Sequence, residues 1–176
     1  EAQDEFAFQS QMKAAEAKAK GLFKELIPTP ATRYVPSEDG TFKRETFLQD
    51  FDDGIRENTT LEGLNNLRPA FAAGGSVTAG NSSQMTDGAA ATVIMSEDKV
   101  KELGVKPIAK FKYYTTVGCR ADEMGVGPRY AIPKLMEIAG MDLKDIDLFE
   151  INEAFASQAL YSVNELGIDL TKVNIH

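Results

Sequence analysis

"DLFEINEAFASQALYSVNELG", residues 147–167, joins two textures in one stretch. "DLFEI" has strand character, and "EAFASQALYSVNELG" reads as a helix. Asn152 and Glu153 stand where the one becomes the other. In a sheet covered by helices, ligands bind at the carboxyl ends of strands, where the chain turns into the following helix. An Asn at such a turn has two readings. Its side-chain oxygen can cap the helix by accepting a free N–H of the first turn. Alternatively its amide projects into a site and holds a water or a developing oxyanion. Glu153 likewise reads as a partner of the helix dipole or as part of that site.

Outward from this stretch, strands and helices alternate. "SVTAGNSSQMTDGAAATVIM" (76–95) predicts a strand, a turn on "GNSS", a short helix and the buried strand "AATVIM". A helix opened by Ser96, Glu97 and Asp98 and closed by Gly104 follows. "PIAKFKYYTTVG" (107–118) alternates enough to predict another strand. "GPRYAIPKLMEIAG" (127–140) predicts a helix ending at Gly140, with Pro133 near its first turn. "KVNIH" starts a further strand. Such alternation indicates an α/β fold with helices covering a sheet.

The first 75 residues differ. Residues 4–23 set Phe6, Phe8, Met12, Ala15, Ala19 and Phe23 mostly three or four apart, as in an amphipathic helix. Residues 27–58 form a long excursion with short strands around "LIPTPATRYV" and "TFKRETF". "TTLEGLNNL" (59–67) offers a Thr cap and Leu61, Leu64 and Leu67 at helical spacing.

Composition narrows the function. The 176 residues are 43% hydrophobic and 26% charged, with a net charge of −8, one His and one Cys. An acidic chain without a Lys/Arg block lacks the field that nucleic acid requires, and no apolar run reaches membrane-spanning length. One Cys permits neither an intrachain disulfide nor a Cys-based metal site, so no metal is expected and a reducing compartment fits. The opening "EAQDEFAF" and closing "TKVNIH" suggest a segment cut at both ends.

Four stretches carry a family resemblance. "DDGIRENTTLEGLNNLRPAF" (52–71), "TAGNSSQMTDGAAA" (78–91), "MGVGPRYAIPKLMEIAGMDLKDIDLFEINEAFASQALYSVNELGIDLTKVN" (124–174) and, within it, "NEAFA" (152–156) resemble the degradative branch of the thiolase family, in the family's order. The resemblance implies a layered α/β/α/β/α arrangement of two related core domains plus a loop domain. Residues 1–75 then correspond to the end of the loop domain that covers coenzyme A, 76–105 to the last α/β part of the first core domain, and 106–176 to the first half of the second. It implies thiolytic cleavage of 3-ketoacyl-CoA through an acyl-cysteine, as in fatty acid β-oxidation. Acyl-CoA and free CoA are substrates, with no separate cofactor. A homo-oligomer is implied, in the cytoplasm if bacterial, otherwise in the peroxisome or mitochondrial matrix.

Residue by residue, Asn152 matches the position that holds a catalytic water in an oxyanion hole, and Glu153 belongs to the same motif. Ala79 and Ser83 resemble positions where small residues let pantetheine run close to the backbone. Arg56 corresponds to a base near the nucleotide end, and Met124, Ala154 and Phe155 match the lining of the acyl and pantetheine tunnel. The nucleophilic Cys would precede residue 1, and the catalytic His and second Cys would follow residue 176, so this chain alone is expected to be inactive. Cys119 and His176 match neither. Acetoacetyl-CoA thiolase, a condensing ketoacyl synthase and a non-catalytic CoA- or lipid-binding relative are the alternative readings.

Overall fold

Six alanines between residues 2 and 19, with acidic residues in the first turn and Lys18 in the last, favour helix α1 (Ala2–Ala19). The computed structural model describes residues 1–176. They fall into two compact units, Glu1–Ser82 with Asn174–His176, and Ser83–Val173.

In the first unit, α1 buries Ala7, Ala17 and Asp4, while Phe6, Phe8 and Met12 stay half-buried. Small residues at the contact let neighbouring backbone approach closely. The excursion forms the two expected strands, β1 (Thr29–Pro36) and β2 (Phe42–Gln49), paired antiparallel from Thr29↔Gln49 to Pro36↔Phe42. Asp39 closes the hairpin by accepting the Thr41 N–H at 3.0 Å and the Thr41 hydroxyl at 2.6 Å, which holds its carboxyl below the usual range. Arg33 bridges to Glu45 across the strands at 3.1 Å and lies over the Phe47 ring. Thr60 caps the short helix α2 (Leu61–Asn65) through the Gly63 N–H, as the sequence predicts. A 3-10 turn at Ala79–Asn81 completes the unit.

In the second unit, α3 (Glu97–Leu103) has the expected Ser96 cap and left-handed Gly104. Helices α4 (Gly127–Ala139) and α5 (Ala156–Leu166) pack on each other and on a 3-10 helix at Ala121–Val126. Ile151, Val163, Ile168 and Val173 form its core, flanked by Ile132, Leu143, Phe149 and Leu166. Gly167, at φ +64°, reverses the chain after α5, and the Ile168 N–H returns to the Val163 carbonyl at 3.0 Å. That turn delivers Ile168 to the core. Arg129 pins α4 to α5, donating to the Tyr161 hydroxyl at 2.8 Å and pairing with Glu165 at 3.2 Å.

Several expectations change. "AATVIM" and "PIAKFKYYTTVG" are not strands: Val93, Ile94 and Ile108 are 83%, 79% and 104% exposed, and nothing in the chain pairs with them. A strand requires a neighbour for its backbone polar groups, and apolar composition cannot supply one. "DLFEI" meets "KVN" at a single parallel bridge, Phe149↔Val173, rather than in a full ladder. Pro133 lies inside α4, while Pro128 takes the first-turn position that Pro133 was expected to fill. Helix α5 begins at Ala156 with Phe155 as its N-cap, later than the start expected at Glu153.

Candidate active-site segment

The parallel bridge organises the Asn152 segment. The Phe149 N–H donates to the Lys172 carbonyl at 2.8 Å, and the Lys172 ammonium reaches the Ile146 carbonyl at 2.8 Å. Behind them a 3-10 turn at Leu170–Lys172 is capped by Asp169, which accepts the Thr171 N–H and hydroxyl at 2.9 and 2.8 Å. These bonds hold the Asp169 carboxyl below the usual range. With Phe149 fixed on one side and Ile151 buried in the core, Asn152 emerges exposed just past the bridge.

Asn152 is not a helix cap. The helix starts four residues later, and Phe155 provides no side-chain cap bond. The amide is therefore outside the capping position, on a loop whose two ends are anchored. Glu153 and Phe155 are half-buried and Ala154 is exposed.

One distant sequence position meets this loop, and a second stands on a segment packed against the helix that follows it. The Ser83 N–H donates to the Ala154 carbonyl at 2.9 Å, so Ser83 lies beside the Asn152–Phe155 loop although it is 71 residues from Ala154 in the chain. Met124 is 75% exposed on the 3-10 helix Ala121–Val126, which packs against α5. Its neighbour Gly125 lies so close to α5 that an added Cβ would stand 3.3 Å from Gln158 Cγ. Arg120 opens this 3-10 helix with a two-bond pair to Asp122 at 3.0 and 2.8 Å. The pair raises the guanidinium and lowers the carboxyl. Cys119, just before it, is exposed.

Arg56 and Ala79 belong to the first unit. The Arg56 backbone N–H donates to Gln11 Oε1 at 2.8 Å, and its carbonyl accepts the Thr59 hydroxyl at 2.7 Å. Its exposed side chain borders a shallow depression lined by residues 55–59. Ala79 is exposed at the head of the 3-10 turn, between buried Thr78 and half-buried Gly80.

Sequence reasoning missed the residues that hold these positions. Asn81 and Asp4 brace the Ala79 turn, and Gln158 backs the Met124 segment. The spacing of Thr78 and Asn81 matches a capping box and was the available signal for Asn81. Nothing in the sequence pairs Asp4 with Asn81, 77 residues away. The residues form no group of three or more His, Cys, Asp or Glu able to hold a metal ion, and no helix is long and apolar enough to cross a membrane.

The model of the thiolase N-terminal domain matches residues 1–98, and that of the thiolase C-terminal domain matches 105–176. The chain belongs to the thiolase family. It is 52% identical over 172 residues to peroxisomal 3-ketoacyl-CoA thiolase B of Rattus norvegicus, covering 98% of this chain and 40% of the relative. The crystal structure of human mitochondrial 3-ketoacyl-CoA thiolase in complex with CoA superposes with a TM-score of 0.86 at 39% identity, over 98% of this chain and 41% of that one. The dimeric peroxisomal thiolase of Saccharomyces cerevisiae gives 0.81 at 42% identity, over 98% and 42%. The chain therefore has the thiolase α/β fold and spans about 40% of the length of the relatives it matches.

Proposed function

We propose that the protein carrying this chain is a degradative 3-ketoacyl-CoA thiolase, releasing acetyl-CoA and a shortened acyl-CoA. A Cys thiolate outside residues 1–176 attacks the 3-keto carbon. The bond between C2 and C3 breaks, acetyl-CoA departs as its enolate and takes a proton from the second Cys, and the acyl group stays on the nucleophile. Free CoA thiolate then attacks the acyl-enzyme carbonyl and regenerates the cysteine.

Within this scheme Asn152 holds the water that donates to the developing oxyanion, a neutral donor fixed before the charge appears. The observation that carries the assignment is the Asn152 loop itself: exposed, outside the helix cap, and joined to Ser83 through Ala154. Glu153 orients the loop. Ser83, Ala154, Phe155 and Met124 line the pantetheine and acyl path, Ala79 passes close to pantetheine, and Arg56 meets the nucleotide end. Residues 1–75, 76–105 and 106–176 act as the end of a CoA-covering loop domain, the last part of one core domain and the first half of the other. The CoA complex of the human relative and the dimeric yeast enzyme support CoA as substrate and a homo-oligomeric assembly.

The test is CoA-dependent loss of a long-chain 3-ketoacyl-CoA by the full-length protein, with acetyl-CoA identified as product. Binding of CoA without turnover would favour a non-catalytic relative instead. The 176-residue chain alone should show no turnover, and activity abolished by Cys119→Ala would overturn the assignment of the nucleophile to another segment.

A further inference from the structure

The Ala79 turn is held by polar contacts from Thr78, Asn81, Ser82 and, across the unit, Asp4. Asn81 is 3% exposed and uses three of its four amide bonding positions. Its Oδ1 accepts the Thr78 N–H at 2.9 Å, and its Nδ2 donates to Asp4 Oδ1 at 2.9 Å and to the Ser76 carbonyl at 3.0 Å. Asp4, on the first turn of α1, is 9% exposed. A buried carboxylate is costly unless hydrogen-bonded, so the pair constrains both α1 and the turn.

Further bonds tighten the same segment. The Gly80 N–H donates to the Thr78 hydroxyl at 3.2 Å, the Ser82 hydroxyl donates to the Thr78 carbonyl at 2.7 Å, and Gln3 donates to the Ser76 hydroxyl at 3.0 Å. Behind the turn, Gly80 faces α2 so closely that an added Cβ would stand 2.5 Å from Leu64 Cδ2 and 2.6 Å from Leu67 Cδ1. From Thr78 to Asn81 only Ala79 remains exposed.

We propose that Asn81 and Asp4 are positioning residues for coenzyme A, a buried amide–carboxylate pair that fixes the turn presenting Ala79. The inference rests on the assignment of Ala79 to the pantetheine path. A methyl group has no polar atom with which to capture a ligand, so it contributes through the place where it stands. A turn that must be ordered on binding weakens affinity, and one ordered beforehand does not.

The experiment is steady-state thiolysis by the full-length protein, with CoA varied and melting temperature recorded. Asn81→Ala and Asp4→Leu should each raise KM for CoA about tenfold while kcat stays within about twofold, the signature of lost pre-organisation in binding. Asp4→Asn keeps an acceptor for the Asn81 amide and should stay within about threefold of the wild-type KM. Loss of folded protein alone would lower apparent kcat and leave KM unchanged. Should Asn81→Ala not fold, Asp4→Ala, which leaves Asn81 two of its three bonds, carries the same criterion.

A KM for CoA within about twofold of wild type in folded Asn81→Ala and Asp4→Leu would overturn the proposal. Ala79→Phe separates the two layers. If it too leaves KM unchanged, the pantetheine contact at Ala79 is wrong. If it raises KM while the other variants do not, only the positioning pair is wrong.

Discussion

Two apolar stretches of strand-like sequence meet different fates, the more apolar one being the one left open. "DLFEI" at 147–151 sends Ile151 into the core at 8% exposed and half-buries Phe149, whereas "AATVIM" at 90–95 stands open, with Val93 at 83%. The difference lies outside both. Phe149 has Val173 beside it, fixed by the Asp169-capped turn, and α5 supplies Val163 across the core. Residues 90–95 have no paired strand. Burial here is a property of pairs of segments, and the same logic sets off Asn152, which stands beyond an anchored strand end.

The largest expected effect tests whether that anchored end does chemistry. In the full-length protein Asn152→Ala should lower kcat on the order of a hundredfold, as loss of an oxyanion-hole donor does, with a smaller change in KM for CoA. Its melting temperature should hardly move, because Asn152 caps no helix. A lowered melting temperature with intact kcat would make Asn152 a scaffold residue and break the contrast.

Next, core and open valines should respond differently in the 176-residue chain. Val163 is 0% exposed, and Val163→Ala should cost about 2 kcal/mol from lost burial and the cavity left behind. Val93→Ala should stay within about 0.5 kcal/mol. Urea unfolding measures both, and equal costs would show that residues 90–95 are packed in solution.

The smallest effect is pH-dependent and concerns the turn behind Phe149. Asp169 has a depressed carboxyl, so its stabilising contribution is present above the ordinary Asp range and is lost as pH falls through the lower folded value. Asp169→Ala should therefore melt below wild type at neutral pH, with the gap closing below about pH 4. A gap that persists in acid would show that the lost contact is not the carboxylate's.

Helices were legible in the sequence because their signals are local. Thr60, Ser96, Gly104 and Gly140 mark helix ends within one turn of the residues they serve. The two strands of the hairpin were legible as well, although their pairing across the Asp39 turn was not. Strands at 90–95 and 107–118 do not form because pairing depends on residues elsewhere. Helix α5 starts later than Asn152 suggests, after a bend at Ala154 and an extended Phe155. Of the candidate site, the motif singles out the residues proposed to face the chemistry. It carries no sign that Ser83 hydrogen-bonds to Ala154, or that a carboxylate on α1 braces the turn at Ala79.

The open apolar segment also bears on how the isolated chain behaves in concentrated solution. An extended, β-branched run with free backbone donors and acceptors can template pairing between copies. Val93 and Ile94 lie in such a run, with Asp87 before it and Glu97 and Asp98 after it. Those carboxylates act as gatekeepers, and the net charge of −8 adds mutual repulsion between chains. Salt screens that repulsion over about 10 Å at 0.1 M, and acid removes it. Colloidal stability of the chain should therefore fall with ionic strength, and fall further as pH approaches the sequence pI of about 4.8, before any helix unfolds.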